Sequence, residues 1–581
     1  MNELHKTLKI FRTILLSLVV FSVASCIKKS PLRDGTYTGV GSGRNGDITV
    51  SVTVTGGSVS DAKIISNDET PEIAQPAMES ILSAFKEQGS TNDIDVVSGA
   101  TLTSNGLLDA FDDALASASG TKKAEASYED TECDIVIVGA GGAGLVAATE
   151  AASKGAKVIV LEKMGIVGGN TNYSTGGINA SYTKEQEKLG IKDSPEVFFE
   201  DTMKGGKYLN DETLVHTLVD NSSAIVEWLQ SDIIGADLSD VGMFGGATNR
   251  RIHRPQGGTA IGAHLVPLLH KAALAQGADI RLNNRVIDIL PSESDSQRAG
   301  AVRVSASGGE YTIKAKAIIL ATGGFGANLD MVTFYNTSLN GFSTTNHKGA
   351  TGDAFKMVEK FNAALTQMAQ IQTHPTVVVN TGIMITEAVR GNGAILVSHD
   401  GKRFVNEMET RDIVSAAILR GKGKTAYLVF DQSVRDSLKA IEEYAKEGLL
   451  SEGATLSDLA EKIGVPLSEF EKTISDYNSY VSTGADPDFA RPKASMDHPI
   501  SNAPFYAVEC EPAIHHTMGG LKINANAEVL NNDGKPILAL FAAGEVTGGV
   551  HGANRLGGNA VADICVFGKI AADSALSFIG K

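Results

Sequence analysis

"CDIVIVGAGGAGLVAATEAASKGAKVIVLEK", residues 133–163, decides the fold. It begins as an apolar run, turns on glycines, continues with helical spacing and closes on a second apolar run that ends in acid. That order predicts a strand, a Gly-rich turn, a helix and a second strand, the βαβ unit that binds dinucleotides. Gly139 permits the tight turn, Gly141 lets backbone approach a pyrophosphate, and Gly144 lets the helix pack on the strand. Ala143 lies in the same turn, and the free N–H groups of the helix start stabilise the diphosphate. Glu162, eighteen residues past the last glycine, is placed to accept hydrogen bonds from an adenosine ribose, with Lys163 beside it. The fold class is therefore α/β, with a Rossmann-like domain at its centre.

Working outward, a later apolar strand, "AKAIILATGGFGAN" (315–328), ends in a second Gly-rich turn. A plain strand-to-helix turn would account for it. Many two-dinucleotide flavoproteins place such a segment beside the first fingerprint, which brings Ala321, Thr322 and Gly323 to the cofactor.

A chain of 581 residues is too long for one core, and its length suggests roughly three or four domains. Its formal net charge of −17 argues against binding the phosphate backbone of nucleic acids. The four cysteines, Cys26, Cys133, Cys510 and Cys565, form no CxxC or CxxCH, so no zinc ribbon, Fe–S run or attached haem is expected. No metal site is expected either. Redox chemistry would have to come from an organic cofactor.

Residues 1–26 have the pattern of an export signal. Lys6, Lys9 and Arg12 form a basic region, Ile14 to Val23 a short apolar stretch, and "VASC" ends at Cys26. "VASC" resembles the lipobox of bacterial lipoproteins, in which the cysteine is lipidated. An ordinary signal cleaved elsewhere is the alternative. Both readings place the protein outside the cytoplasm, and the first makes it a membrane-anchored lipoprotein on the periplasmic side or cell surface.

After a polar tether, residues 33–118 read as a small α+β unit. "GDITVSVTVTGGSVSDAKII" (46–65) alternates about a Gly-Gly turn as a hairpin does, and "PAMESILSAFKEQG" (76–89) has helical spacing. Residues 119–130 have no apolar period and read as a linker. Between them lies "VVSGATLTSN" (96–105), just before a helical run from Gly106 to Ala116. Gly99 makes a turn, and Thr103 or Ser104 supplies a helix-capping oxygen. The same helix start would suit a phosphate.

Further motifs follow in order: "GGNTNYSTGGINA" (168–180), "GATGDA" (349–354), "THPT" (373–376), "ITEAVRGNGAILV" (385–397), "GKRFVNE" (401–407), "HHTMGGL" (515–521) and "FAAGEVTGGVHGANRLGGNA" (541–560). With them, the chain from Asp134 onward resembles the soluble fumarate reductase flavoproteins, relatives of the succinate dehydrogenase flavoprotein. "SGATLTS" resembles the flavinylation motif of small FMN-binding domains, where FMN phosphate is esterified to the second threonine, here Thr103.

The resemblance implies an FAD domain in two parts, 131–368 and 516–581, with an inserted α+β capping domain, 369–515, that closes over substrate. It implies non-covalent FAD held by the fingerprint residues with Asn170, Thr171, Gly176, Gly177, Asp353, His516 and Glu545, and covalent FMN as the electron input. Arg411 would donate a proton to the substrate alkene, with Glu387 and Arg390 restoring it. Those two stand at i and i+3 and can meet on one helical turn. By residue chemistry alone, Arg411 in "METRD" reads as a salt-bridge partner of its neighbours. His515 and Arg555 would bind one substrate carboxylate and His374 with Thr386 the other. The implied activity is fumarate reduction with electrons from a membrane or extracellular donor. Reduction of another enoate (urocanate, acrylate or cinnamate type), oxidation of succinate or an amino acid, and a non-catalytic electron-transfer lipoprotein are the alternatives.

Overall fold

The structure, a computed structural model, describes residues 32–581 apart from 45, 68, 70, 93, 98, 99, 122–127 and 497. The export signal with Cys26, most of the tether, Ser98 and Gly99, and the middle of the linker lie outside the described residues. Among the described residues no helix is long and apolar enough to cross a membrane, and Cys133, Cys510 and Cys565 are buried free thiols.

The N-terminal unit is a three-stranded antiparallel meander, β1 (Gly35–Ser42), β2 (Asp47–Thr55) and β3 (Ser58–Ser66), covered by helices α1 (Pro71–Gln88) and α2 (Thr101–Ser119). β2 points Ile48, Val50, Val52 and Val54 inward and its intervening residues outward, the period-two pattern of a half-buried strand. Gly56 and Gly57 turn the chain with φ of +61° and +77°, the conformation a two-residue hairpin requires. Phe85 of α1 stacks on Phe111 of α2 with ring centroids 3.9 Å apart. α2 lies directly on β1, because a Cβ at Gly39 would stand 2.0 Å from the Ala110 carbonyl oxygen.

One expectation is corrected here. α2 starts at Thr101, five residues before the predicted run, and its N-cap is Ala100 with no side-chain cap bond. Thr103 does not cap the helix, because its hydroxyl is turned aside to donate to Glu69. Ser104 accepts the Val97 N–H at 3.1 Å and donates to the Ala100 carbonyl at 2.8 Å, tying the preceding loop to the first turn.

The FAD domain is built on an eight-stranded sheet. β4 (Thr131–Val138) lies inside it, buried from Cys133 to Val138 because both faces are covered. α3 (Gly142–Ser153) follows β4 and leads to β5 (Val158–Leu161), so the βαβ unit forms as predicted. α3 packs against α4 (Ile261–Ala275), which precedes β6 (Asp279–Arg281). A meander of β7 (Arg285–Ser292), β8 (Asp295–Ala306) and β9 (Gly309–Leu320) returns the chain to pair in parallel with β4. The capping sheet is antiparallel and comprises β10 (Ile371–Val378), β11 (Ile395–Val397), β12 (Ala426–Asp431) and β13 (Phe505–Thr517), in the order β10-β13-β12-β11. The short helix α5 (Glu387–Gly391) follows β10, and α6 (Arg411–Arg420) follows β11. The chain then adds β14 (Pro536–Ala542) to the first sheet, giving β7-β8-β14-β9-β4-β5-β6 with Glu528–Leu530 paired to β14 as the eighth strand, and ends in α7 (Asn559–Ile579) against α3.

β13 is one strand from the capping sheet to the FAD domain, and within it His516 pairs with Gln372 while His515 is the residue skipped by a register shift. β10 pairs with it through register shifts between Gln372 and Thr373 and between His374 and Val377. Such bulges re-aim side chains, and these two bracket His374.

The fingerprint glycines differ in their reasons. Gly139 has φ +105°, and a Cβ there would lie 2.4 Å from the Ala321 oxygen. At Gly144 a Cβ would meet the Gly139 oxygen at 2.0 Å, whereas at Gly141 it would meet nothing nearer than 3.8 Å and would project toward the cleft. Gly144→Ala should therefore overpack the turn at a cost of about 1–3 kcal/mol. The check is the ratio of flavin to protein absorbance after purification, together with the thermal midpoint. Both are expected to fall, and full flavin occupancy would contradict the packing argument.

Candidate active site

Two connected recesses occupy the face where the FAD domain, cap and N-terminal unit meet. The first runs along the C-terminal ends of β4 and β9 and is lined by Gly139, Gly141, Ala143, Glu162, Lys163, Asn170, Thr171, Ala321, Thr322, Gly323, Asp353 and Glu545, all anticipated from sequence. Gly144 stays beneath it as packing. Glu162 accepts the Ala140 N–H at 2.9 Å and the Met164 N–H at 2.8 Å, which fixes its carboxylate at the cleft. Burial nonetheless pushes its pKa above the usual value. Lys163 bonds Thr351 at 2.6 Å and Asp353 at 3.0 Å, so the two predicted residues form one unit. Thr322 Oγ1 is buried with no hydrogen-bond partner, and a dinucleotide lying in the cleft would supply one. These features fit FAD.

The second recess is a cavity of about 630 Å³. It is lined by Gly176, Gly177, His374, Thr386, Glu387, Arg411, His515, His516, Glu545 and Arg555, and it reaches Arg44 and Thr103 of the N-terminal unit. Arg411 points Nε and Nη2 at Glu387 Oε2, at 3.1 and 2.9 Å. Its Nη1 donates to Gln372 at 3.1 Å. The charged run around it is not its partner: Asp412 pairs instead with Lys207 at 2.6 Å. Behind Glu387 stands Arg390, at 3.8 Å and fully buried, one turn along α5 as its spacing requires. Arg390 does not line the cavity, and its Nη1 donates to the Glu407 carbonyl at 2.6 Å.

The electrostatics follow from burial. Arg411, Arg390 and Arg555 surround the carboxylate of Glu387. Burial pushes Glu387 upward, yet the Arg411 and Arg390 charges outweigh it and hold the carboxyl below its usual range. Arg555 is pulled down to about 9, by burial first and by the Arg411 charge second. Burial, then the guanidinium charges, drive His374 far below an ordinary histidine, and His515 and His516 share that fate. A neutral His374 whose Nδ1 accepts the Thr376 N–H at 3.3 Å carries its proton on Nε2. That Nε2 and Arg555 Nε are buried without partners. The site thus offers unpaired donors and surplus positive charge, the chemistry of an anion site.

Several residues that hold the site were not assigned a role from sequence. Gln372 accepts from Arg411 and donates to Asn554 at 2.6 Å and to the Arg555 carbonyl at 2.7 Å, coupling both arginines. Thr345 bonds His515 Nδ1 at 2.8 Å. His551 contacts Asp563 at 3.2 Å and stands edge-on behind His516. Glu407, quoted within "GKRFVNE" without a role, binds Arg403 and Arg491 in a buried network. Tyr173 donates to the Arg44 carbonyl at 2.9 Å while the Arg44 guanidinium lies over its ring, joining the N-terminal unit to the FAD domain. Apart from Arg403 with Glu407, four residues apart in one motif, no sequence period marks these contacts, because they join separate segments.

The fold and this site define an FAD-dependent oxidoreductase with an added flavin domain. An FAD binding domain model matches residues 134–561 and an FMN-binding domain model matches 43–116. A fumarate reductase (cytochrome) of Shewanella frigidimarina is 47% identical over 78% of this chain and 79% of its own. A urocanate reductase of Eggerthella lenta is 35% identical over 93% of this chain and 92% of its own. The open form of a flavocytochrome c3 fumarate reductase superposes with a TM-score of 0.67 at 43% identity, covering 78% of this chain and 79% of that one. The chain belongs to the fumarate reductase flavoprotein family, and its cofactors are FAD and FMN.

The buried neutral histidines predict a pH dependence. A histidine whose folded pKa is depressed adds no penalty at high pH. As pH falls through about 6.5, the unfolded chain takes up protons that the fold refuses, and stability drops. For His347, lowered by burial and then Lys163 to about 4, the loss is complete near that value. The thermal midpoint of the protein should therefore fall steadily from pH 7 to pH 4.5. A flat profile over that range would contradict the neutral assignments.

Proposed function

We propose that this protein reduces fumarate to succinate. The observation that carries the reading is the surplus of buried cationic and donor groups lining one cavity. Arg555, His515, His374 and Thr386 line it together, with the His374 and His515 rings edge to face at 5.2 Å, and as two donor pairs, Arg555 with His515 and His374 with Thr386, they would take two carboxylates. The family relationship supports it, since the Shewanella relative is a fumarate reductase by name.

When bound, FAD supplies the hydride, from N5 of its flavin ring. The protein's own residues hold and polarise the substrate. Arg555 and His515 clamp one carboxylate, and His374 Nε2 and the Thr386 hydroxyl the other, which fixes the alkene and withdraws charge from it. Arg411 donates the proton to the second alkene carbon. Glu387, already bonded to two of its nitrogens, returns a proton to it, and Arg390 behind Glu387 completes the relay. Closure of the cap, residues 369–515, over the 131–368 and 516–581 domain excludes water from this step.

Thr103 carries the FMN as a phosphoester, and the FMN unit passes electrons toward the FAD domain. The cavity that Thr103 shares with Asn170, Thr171 and Tyr173 supports this, because it runs from one flavin site to the other. Export, lipidation at Cys26 and an electron donor outside the cell or in its membrane complete the reading, supported by the pattern of residues 1–26.

Arg411→Gln keeps a donor toward Glu387 but has no proton to transfer. It should lower kcat for fumarate by about 1,000-fold, within the range of a lost general acid, at unchanged FAD content. Turnover within tenfold of the unaltered protein would sink the proton assignment. Separately, intact mass should show an FMN adduct that is absent from Thr103→Ala. An adduct surviving that change would move the ester elsewhere.

A further inference from the structure

Thr103 and Glu69 form a buried pair at the N-terminal end of the large cavity. Thr103 is 3% exposed and Glu69 6%. The Thr103 hydroxyl donates to Glu69 Oε2. A Cβ added at Gly43 would stand 2.6 Å from Glu69 Oε1, so the end of β1 and the first turn of α2 confine the carboxylate. α2 has neither an acidic residue in its first turn nor a side-chain cap, which leaves its positive end directed at Thr103. Arg44 lines the same end of the cavity.

A hydroxyl is a weak nucleophile until a neighbouring base takes its proton. Thr103 is nearly excluded from solvent, so the group in position to take it is Glu69. We propose that Glu69 is the general base for attachment of FMN to this chain, an inference that rests on reading Thr103 as the ester site. The donor is a flavin phosphoanhydride, FAD, presented by a separate metal-dependent flavin transferase. Thr103 Oγ1 attacks the phosphorus on the flavin side as its proton passes to Glu69. The new P–O bond forms, the bond from that phosphorus to the bridging anhydride oxygen breaks, and AMP leaves. No group is oxidised or reduced. The product is a phosphodiester with one negative charge beside Glu69. The helix end and Arg44 stabilise the same charge.

The test uses the full chain made without a flavin transferase, then incubated with a purified flavin transferase, Mg²⁺ and FAD. Intact mass follows adduct formation with time. Glu69→Gln, isosteric and still able to accept the Thr103 hydrogen bond, is expected to slow the initial rate at least about 100-fold, as loss of a general base does. The acidic limb of the rate–pH profile should vanish with it. Glu69→Asp, which keeps the base but draws it back, should give an intermediate rate and retain the limb. Limited proteolysis shows whether the FMN unit stays folded, and fumarate-dependent oxidation of a reduced viologen shows that the FAD domain is intact. A Glu69→Gln rate equal to that of the unaltered chain, or an Asp variant without the acidic limb, overturns the base. An adduct that forms in Thr103→Ala instead overturns the ester site on which the inference stands.

Discussion

The paired contacts from Arg411 to Glu387 hold together a site that is otherwise short of negative charge. Three guanidinium groups, Arg390, Arg411 and Arg555, are buried around that one carboxylate. Burying a charge without a partner costs several kcal/mol, so the arrangement is tolerable only if the fold fixes every group and leaves room for an anion. The fold does both. Gln372 ties Arg411 to the Arg555 loop, Glu407 anchors Arg403 and Arg491 behind Arg390, and the paired strands β10 and β13 carry all three histidines. Burial first, and then the surplus charge, keeps those histidines neutral, which leaves single, directed N–H donors instead of three more cations.

The central βαβ unit was legible because its physics is local. A strand buried on both faces reads as an apolar run, and Gly139 and Gly144 are glycines because a carbonyl oxygen stands where a side chain would go. The hairpin of the small domain is equally local, with Gly56 and Gly57 supplying the positive φ values. The active-site arginines and histidines were named only through a family resemblance. By residue chemistry alone Arg411 looked like a member of a charged run. Its partners are 24 and 39 residues away, which no window of the sequence displays. The start of α2 was misplaced because Thr103 and Ser104 are good capping residues. Glu69, 34 residues earlier in the chain, takes the Thr103 hydroxyl instead.

The cavity also explains why one chain carries two flavin units. Thr103 opens into the same space as Arg411, and the contact of Tyr173 with Arg44 fixes the small domain against the large one. An electron-carrying group tethered at Thr103 would stand next to the FAD cleft without any further partner.

The account is tested most directly by anaerobic oxidation of a reduced viologen by the purified protein, with fumarate, urocanate, acrylate or cinnamate offered separately. A cavity lined by two pairs of donors predicts fast turnover with fumarate and at least about 100-fold less with the others, since a buried donor left unpaired costs roughly 1–3 kcal/mol at each contact. Fast turnover with one of the monocarboxylates and little with fumarate would contradict the assignment of His374 and Thr386 to a second carboxylate.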